Sequence, residues 1–179
     1  MNQQTLIIGG SGYIGSALIP MLTRALIHHS TLDLNWFNGP EPHFKQDYCT
    51  LTAKQLADYS YIVLLAGHSS MAMCKDNWAS SWQNNVVNFA DLVSKLTKEQ
   101  TLIYASSGSV YGQGGLACHE HMNLAEPQIE YDQQKQIIEQ IARGAQCRTV
   151  GLRFGTLSGF STTARSDLML NAMTISCLL

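Results

Sequence analysis

The sequence is short of the features that would tie it to a charged polymer or a membrane. Eleven basic residues against thirteen acidic ones leave a net charge of −2. There is no basic footprint, so nucleic acid is not expected as a partner. No apolar run reaches the length of a membrane helix, about 20 residues. The opening Met1-Asn2-Gln3-Gln4 carries no cation ahead of Leu6-Ile7-Ile8, so no secretory leader is read there. The five cysteines (Cys49, Cys74, Cys118, Cys147, Cys177) are scattered, odd in number and form no CxxC pair. That spacing argues for reduced thiols and a cytoplasmic location. Internal repeats and low-complexity linkers are missing too. What remains is a chain of 179 residues, 45% hydrophobic, which suits one globular domain over residues 1–179.

Apolar runs alternate with helical stretches. The pattern predicts strands at Thr5–Ile8, Thr31–Phe37, Ser60–Leu65, Thr101–Ala105 and Cys147–Phe154. Helices are predicted at Gly12–Ile27, Ala79–Leu96, Tyr131–Ala142 and Asp167–Leu178. Such alternation implies an α/β fold, a doubly wound parallel sheet with helices on both faces in three layers. Asn38–Pro42 and the Gly-rich Gly108–Pro127 read as irregular. Pro20 falls inside the first helix and should bend it. His28-His29 would sit at that helix's end, facing its dipole.

Gly9-Gly10-Ser11-Gly12-Tyr13-Ile14-Gly15 lies between the first strand and the first helix. In that context the glycines have separate tasks. Gly9 permits the tight turn, Gly12 lets backbone N–H groups approach a pyrophosphate, and Gly15 lets the helix pack closely. Tyr13 and Ile14 open the helix, whose N-terminus favours an anion. Tyr131 and Lys135 stand four apart, on one helix face. A free phenol has a pKa near ~10. A neighbouring ammonium would lower it toward a useful base. The segment Tyr104–Gly112, rich in serine, ends a strand at the carboxyl edge of the sheet, where open α/β sheets bind ligands.

The spacing Gly9-x-x-Gly12-x-x-Gly15 resembles the turn of the short-chain dehydrogenase/reductase family. Gly9–Ser16 is most similar to its extended branch, the NAD-dependent epimerase/dehydratase type that modifies sugar nucleotides. The resemblance implies a Rossmann fold and an epimerase or oxidoreductase activity; a homo-oligomer such as a homodimer is expected through helices or the apolar C-terminal tail. By the match of Ser106–Gly112 to the family's serine segment, Ser107 takes the catalytic hydroxyl position. Tyr131 would be the acid/base, and Lys135 would hold the cofactor ribose and tune Tyr131. Asp47-Tyr48 resembles the pair that faces the adenine, Asp47 otherwise being an exposed loop carboxylate. Leu64–His68 resembles the segment lining ribose and diphosphate, which brings in Ala66, Gly67 and His68. His68 could otherwise be an ordinary exposed strand-end histidine. Gln83–Val86 resembles the helix segment whose Asn shapes the active site, placing Asn85 there. Leu152–Gly159, Arg165-Ser166-Asp167 and Asn171 continue the likeness.

The departures matter as well. Gly108 and Ser109 replace the acidic pair of the family's dehydratases, which disfavours dehydration. Thr156 replaces an Asn. The acidic residue for the ribose diol is Asp33, within the second strand, with Asn35 or Asn38 as alternatives. No Arg follows to welcome a 2′-phosphate, so NAD is favoured over NADP. The likeness ends in residues 166–179, read as the first helix of a substrate lobe that is otherwise absent. The apolar tail Met169–Leu179 is therefore expected to self-associate or to dock elsewhere. Trp78 and Trp82 read as core packing. Cys118-His119-Glu120-His121 has metal-ligand types, but one irregular loop fixes no geometry, so no metal is expected. The functions in competition are hydride transfer at a carbinol of a sugar nucleotide or smaller substrate, a non-catalytic dinucleotide-binding or sensor module, and a remnant without a dedicated role.

Overall fold

The strand–helix alternation is carried into the computed structural model, which describes residues 4–112 and 117–178. The chain divides into two units, Met1–Ala66 with Thr156–Leu179, and Gly67–Gly155. Residues 113–116 of the Gly-rich stretch and Leu179 of the tail lie outside the described residues.

In the first unit, β1 (Thr5–Ile8) is buried along its length. Leu6, Ile7 and Ile8 expose 1% or less, as expected of a central parallel strand covered on both faces. It is followed by α1 (Tyr13–Arg24), β2 (His29–Asp33), β3 (Phe44–Lys45), α2 (Ala53–Leu56) and β4 (Tyr61–Leu64). The strands run parallel in the order β3-β2-β1-β4. Ile8 pairs with both Leu32 and Leu64. This register lines up the carboxyl ends of three strands, and Gly9, Asp33 and Leu65-Ala66 leave the sheet together there.

Two element ends fall well short of the sequence pattern. Helix α1 stops at Arg24 because Leu26 turns left-handed, with φ +57°. The Leu26 N–H then reaches Thr23 O and the Ile27 N–H reaches Leu22 O, a Schellman-type ending. His29 therefore opens β2 and does not answer the helix dipole. The helix runs on past Pro20 for one more turn. Strand β2 ends at Asp33, not Phe37. The Asp33 carboxylate accepts the Asn35 N–H, and Asn35 (φ +56°) and Asn38 (φ +50°) take left-handed conformations. Side chain and backbone together divert the chain from the ladder, leaving Trp36 and Phe37 exposed.

In the second unit, α3 (Met71–Asp76) and α4 (Trp78–Trp82) lead into a π turn at Gln83–Val87, then α5 (Asn88–Lys95). The single long helix read from the sequence is thus interrupted in its middle. Trp78 and Trp82 are stacked, ring centroids 5.5 Å apart. Trp78 is half exposed, so the pair is a surface stack, not core. Strand β5 (Thr101–Ser107) is followed by a 3-10 turn (Gly108–Tyr111), α6 (Glu130–Arg143) and β6 (Arg148–Phe154). β5 and β6 pair in parallel from Thr101–Arg148 to Ser107–Phe154. Phe89, Leu92, Leu102, Val110 and Ile138 form this unit's core.

The C-terminal helix, Met169–Leu178, belongs to the first unit and buries no residue. Met169, Leu170, Met173, Ile175 and Leu178 are all exposed. Among the described residues no helix is long and apolar enough to cross a membrane.

Candidate cofactor and catalytic site

The site begins at the glycine turn. Gly9 has φ +92°, and a Cβ there would stand 2.4 Å from the Ala66 nitrogen. Only glycine combines that dihedral with that approach. A Cβ on Gly15 would meet Gly9 O at 2.3 Å, so Gly15 fits the helix onto the turn itself. Gly12 differs, since among the described residues, its chain neighbours aside, a Cβ would meet Gly9 O alone within 4 Å, at 3.4 Å. Gly12 also caps α1, with no side chain bonded to the helix's first N–H groups. Space beside Gly12 and an uncapped helix start are what an anion site requires.

The acidic residue sits at the strand end. Asp33 Oδ2 accepts the Ser11 N–H at 3.0 Å, and Oδ1 accepts Asn35 N–H at 2.7 Å. Each oxygen keeps a further lone pair. Asn35 donates from Nδ2 to Glu41, while its buried Oδ1 has no partner among the described residues.

The turn is braced from two directions that the sequence did not signal. Ser11 Oγ donates to Pro40 O at 2.6 Å, and Thr163 Oγ1 donates to Ser11 O at 2.8 Å. Tyr13 donates its hydroxyl to Gly159 O and receives Asn171 Nδ2. Ser161, buried, donates to Tyr13 O and lies 2.5 Å from Ser16 Oγ. The segment after β6 thus returns to the start of α1. Asp47 is occupied locally: it caps a 3-10 turn (Tyr48–Thr50) by accepting the Cys49 N–H, and Tyr48 is buried. Ala66 continues β4 by donating its N–H to Ile8 O.

In the second unit, α6 carries Tyr131 and Lys135 and ties Lys135 to β5, the strand that ends in Ser107. Lys135 Nζ donates to Ala105 O at 2.8 Å and lies 5.6 Å from the centre of the Tyr131 ring. Lys135 is 9% exposed, and burial pulls its pKa from 10.5 to about 8. Ser107, two residues beyond Ala105, is 9% exposed. Its Oγ accepts the Ser109 N–H and lies 2.7 Å from Ser109 Oγ. Ser109 Oγ in turn donates to Asp132 Oδ1 at 2.5 Å. A carboxylate does reach the serine segment, therefore, though from α6 and not from the loop's own sequence. The clue was available, because Asp132 directly follows Tyr131.

Further along α6, Glu139 accepts Ser106 Oγ at 2.6 Å and a two-pronged contact from Arg153, at 2.9 and 2.7 Å. Burial pushes the Glu139 carboxyl up, but hydrogen bonds from Arg153 and Ser106 outweigh it, so the net shift is downward. Arg153 also donates to Tyr111 Oη and lies over its ring. A cleft of about 440 Å³ bounded by Tyr104, Tyr111, Glu139 and Arg153 is a separate feature, since Ser107, Tyr131 and Lys135 do not line it.

His68 is buried, not exposed. Its N–H donates to Asn85 Oδ1 at 2.9 Å, and its Nε2 lies 3.2 Å from Ser80 Oγ. Burial lowers its pKa, which favours the neutral ring. Among the described residues no three His, Cys, Asp or Glu side chains converge as a metal set.

Residues 5–177 match the profile of the NAD dependent epimerase/dehydratase family. Among solved structures, an NAD-dependent NDP-hexosamine 5,6-dehydratase, TunA, of tunicamycin biosynthesis superposes with a TM-score of 0.86 at 21% identity, over 98% of this chain and 61% of its own. The UDP-glucose 4-epimerase of Thermus thermophilus, solved with NAD, gives 0.81 at 19% identity, over 97% and 61%. The UDP-glucuronic acid 4-epimerase of Bacillus cereus, solved with UDP-glucuronic acid and NAD, gives 0.81 at 20%, over 98% and 63%. These likenesses show a Rossmann-like parallel α/β fold. The chain spans about three fifths of the length of the structures it matches.

Proposed function

The chain belongs to the NAD-dependent epimerase/dehydratase family, and from that premise we propose that it binds NAD and transfers hydride reversibly at a carbinol of a sugar nucleotide or a smaller substrate. The observation that carries the reading is the Tyr131–Lys135 pair, with Lys135 Nζ 5.6 Å from the Tyr131 ring and tethered to the strand that ends in Ser107. The residues fit the cofactor in charge and shape. The uncapped helix start at Gly12 suits a diphosphate. Asp33 and the unpartnered Asn35 Oδ1 are acceptors for ribose hydroxyls, and acceptors there repel a 2′-phosphate.

NAD, when bound, supplies the hydride acceptor or donor. Tyr131 takes or returns the proton of the substrate hydroxyl through its Oη. Lys135, charged below about pH 8, favours the phenolate and holds the ribose. Ser107 donates a hydrogen bond to the reacting oxygen and steadies the charge that develops there. Without substrate, Ser109 gives its proton to Asp132 and so receives that of Ser107; Ser107 turns this proton from Ser109 to the reacting oxygen when substrate arrives.

The test is titration of the purified chain with NAD⁺, NADH, NADP⁺ and NADPH, followed by UDP- and dTDP-sugars. The expected result is binding of NAD⁺ and NADH, with the phosphorylated pair at least about tenfold weaker, and slow interconversion of a sugar nucleotide. Dinucleotide binding without turnover transfers the conclusion to a non-catalytic binding module. Absence of dinucleotide binding overturns both.

A further inference from the structure

Gln134 is the most deeply buried polar side chain of α6, with no exposed area. It lies between Tyr131 and Lys135 in the helical sequence, yet the chemistry above makes no use of it. Both ends of its carboxamide are engaged. Nε2 donates to Ser81 Oγ at 2.9 Å, and Oε1 accepts Asn85 Nδ2 at 2.8 Å. Ser81 lies on α4, just before the π turn, and Asn85 lies within it. The wide turn helps bury Asn85, and such turns often mark functional positions in helices.

We propose that Gln134 is a positioning residue for the cofactor side of this site: through Asn85 it sets the Gly67–His68 backbone in register with the helix that carries Tyr131 and Lys135. The reasoning follows from donor and acceptor identity. Ser81 Oγ donates to Trp78 O at 2.9 Å, so it accepts from Gln134 and turns the amide Nε2 toward itself. Oε1 then faces Asn85 and demands a donor, which fixes Asn85 Nδ2 on that side. Asn85 Oδ1 is left to accept the His68 N–H at 2.9 Å, while Nδ2 also donates to His68 O at 3.1 Å. Both backbone groups of His68 are thereby held by one side chain. Gly67, φ +152°, lies so close that a Cβ would stand 2.7 Å from Asn85 Oδ1. A flip at Gln134 would propagate to a flip at Asn85 and release the loop.

This inference rests on the dinucleotide reading, in which Gly67–His68 lines the cofactor. A buried Gln that served stability alone would lower the melting temperature without changing cofactor affinity. The test is NADH binding, by calorimetry well below the melting temperature, to wild type, Q134M, Q134E and N85A/Q134M. Q134M, similar in shape but without the amide, is expected to bind about tenfold more weakly. Q134E keeps the acceptor for Asn85 and should stay within about threefold of wild type. On the N85A background, Q134M should add no further loss, because its effect passes through Asn85. Unchanged NADH affinity in a folded Q134M overturns the proposal, as does a full additional loss in the double variant. If Q134M fails to fold, S81A takes its place: about a threefold loss is expected, and none overturns the idea. A wild-type chain that does not bind NADH removes the dinucleotide reading itself, and this one with it.

Discussion

Lys135 is an ammonium held inside the protein by one carbonyl, and that arrangement has a measurable consequence. Folding lowers its pKa from 10.5 to about 8. Between those values the unfolded chain holds a proton that the folded chain has released. Stability therefore rises with pH across that window, because the cost of burying the charge disappears. At ~1.4 kcal/mol per pH unit, the gap between 10.5 and about 8 amounts to about 3 kcal/mol. Urea unfolding of the cofactor-free protein at a series of pH values from 7 to 10.5 reads this directly. Cys74 and Cys147 complicate the raw curve: burial raises both thiols, so their effect is to lower stability as pH rises. The comparison with K135M removes most of that background. The wild-type minus K135M difference should climb from about pH 8 by up to about 3 kcal/mol and be flat below pH 7. A difference that is flat throughout, or that falls, refutes a buried ammonium at this position.

Two further expectations follow from the same geometry. Glu139 is buried and Arg153 partly so, and the two are doubly bonded, so E139L should cost about 2–3 kcal/mol in urea unfolding by taking the carboxylate from the guanidinium. The double variant E139L/R153L should cost less than that single change, and simply additive losses would contradict a mutually dependent pair. At the glycine turn, G9A must fit a Cβ at φ +92° beside the Ala66 nitrogen, and its melting temperature should fall by several degrees. G12A meets Gly9 O alone among the described residues, its chain neighbours aside, at 3.4 Å. It should fold normally and lose NADH binding by about tenfold or more. A G12A protein that binds NADH like wild type would count against a diphosphate at this turn.

The parts of this molecule that were legible in the sequence are those written in consecutive residues. Leu6-Ile7-Ile8 running into a glycine turn and an apolar helix leaves few alternatives, and β1 and α1 follow. The spacing of Tyr131 and Lys135 places them on one helix face without reference to any other segment. The illegible parts depend on partners far along the chain or on a single dihedral. Asp33 looked like a mid-strand residue because Leu34 and Trp36 continue the alternation. The left-handed turn at Asn35 ends the strand early and leaves Asp33 at its tip. The helix around Asn85 reads as continuous because nothing in its composition marks a π turn; the burial of Asn85 against Gln134 does. Thr163 and Ser161 reach Ser11 and Tyr13 across about 150 residues of sequence, a link that no local pattern encodes.

The inner face of α6 shows why such long-range polar contacts were retained. Its buried positions are Gln134, Lys135, Ile138, Glu139 and Ala142, so three of five are polar or charged. An all-apolar face would be the more stable choice, since burying charge rarely yields net stability. Apolar contacts, however, tolerate rotation and sliding, whereas hydrogen bonds to fixed partners do not. Here Gln134 is bonded to the π-turn segment, Lys135 to Ala105 on β5, and Glu139 to Ser106 on β5 and Arg153 on β6. These three attachments, two from adjacent residues and one about a turn later, restrict both its roll and its slide. Tyr131 sits one turn before the first of them. In the proposed reaction, a phenol that meets a substrate hydroxyl within about 3 Å needs that restriction more than the helix needs extra stability.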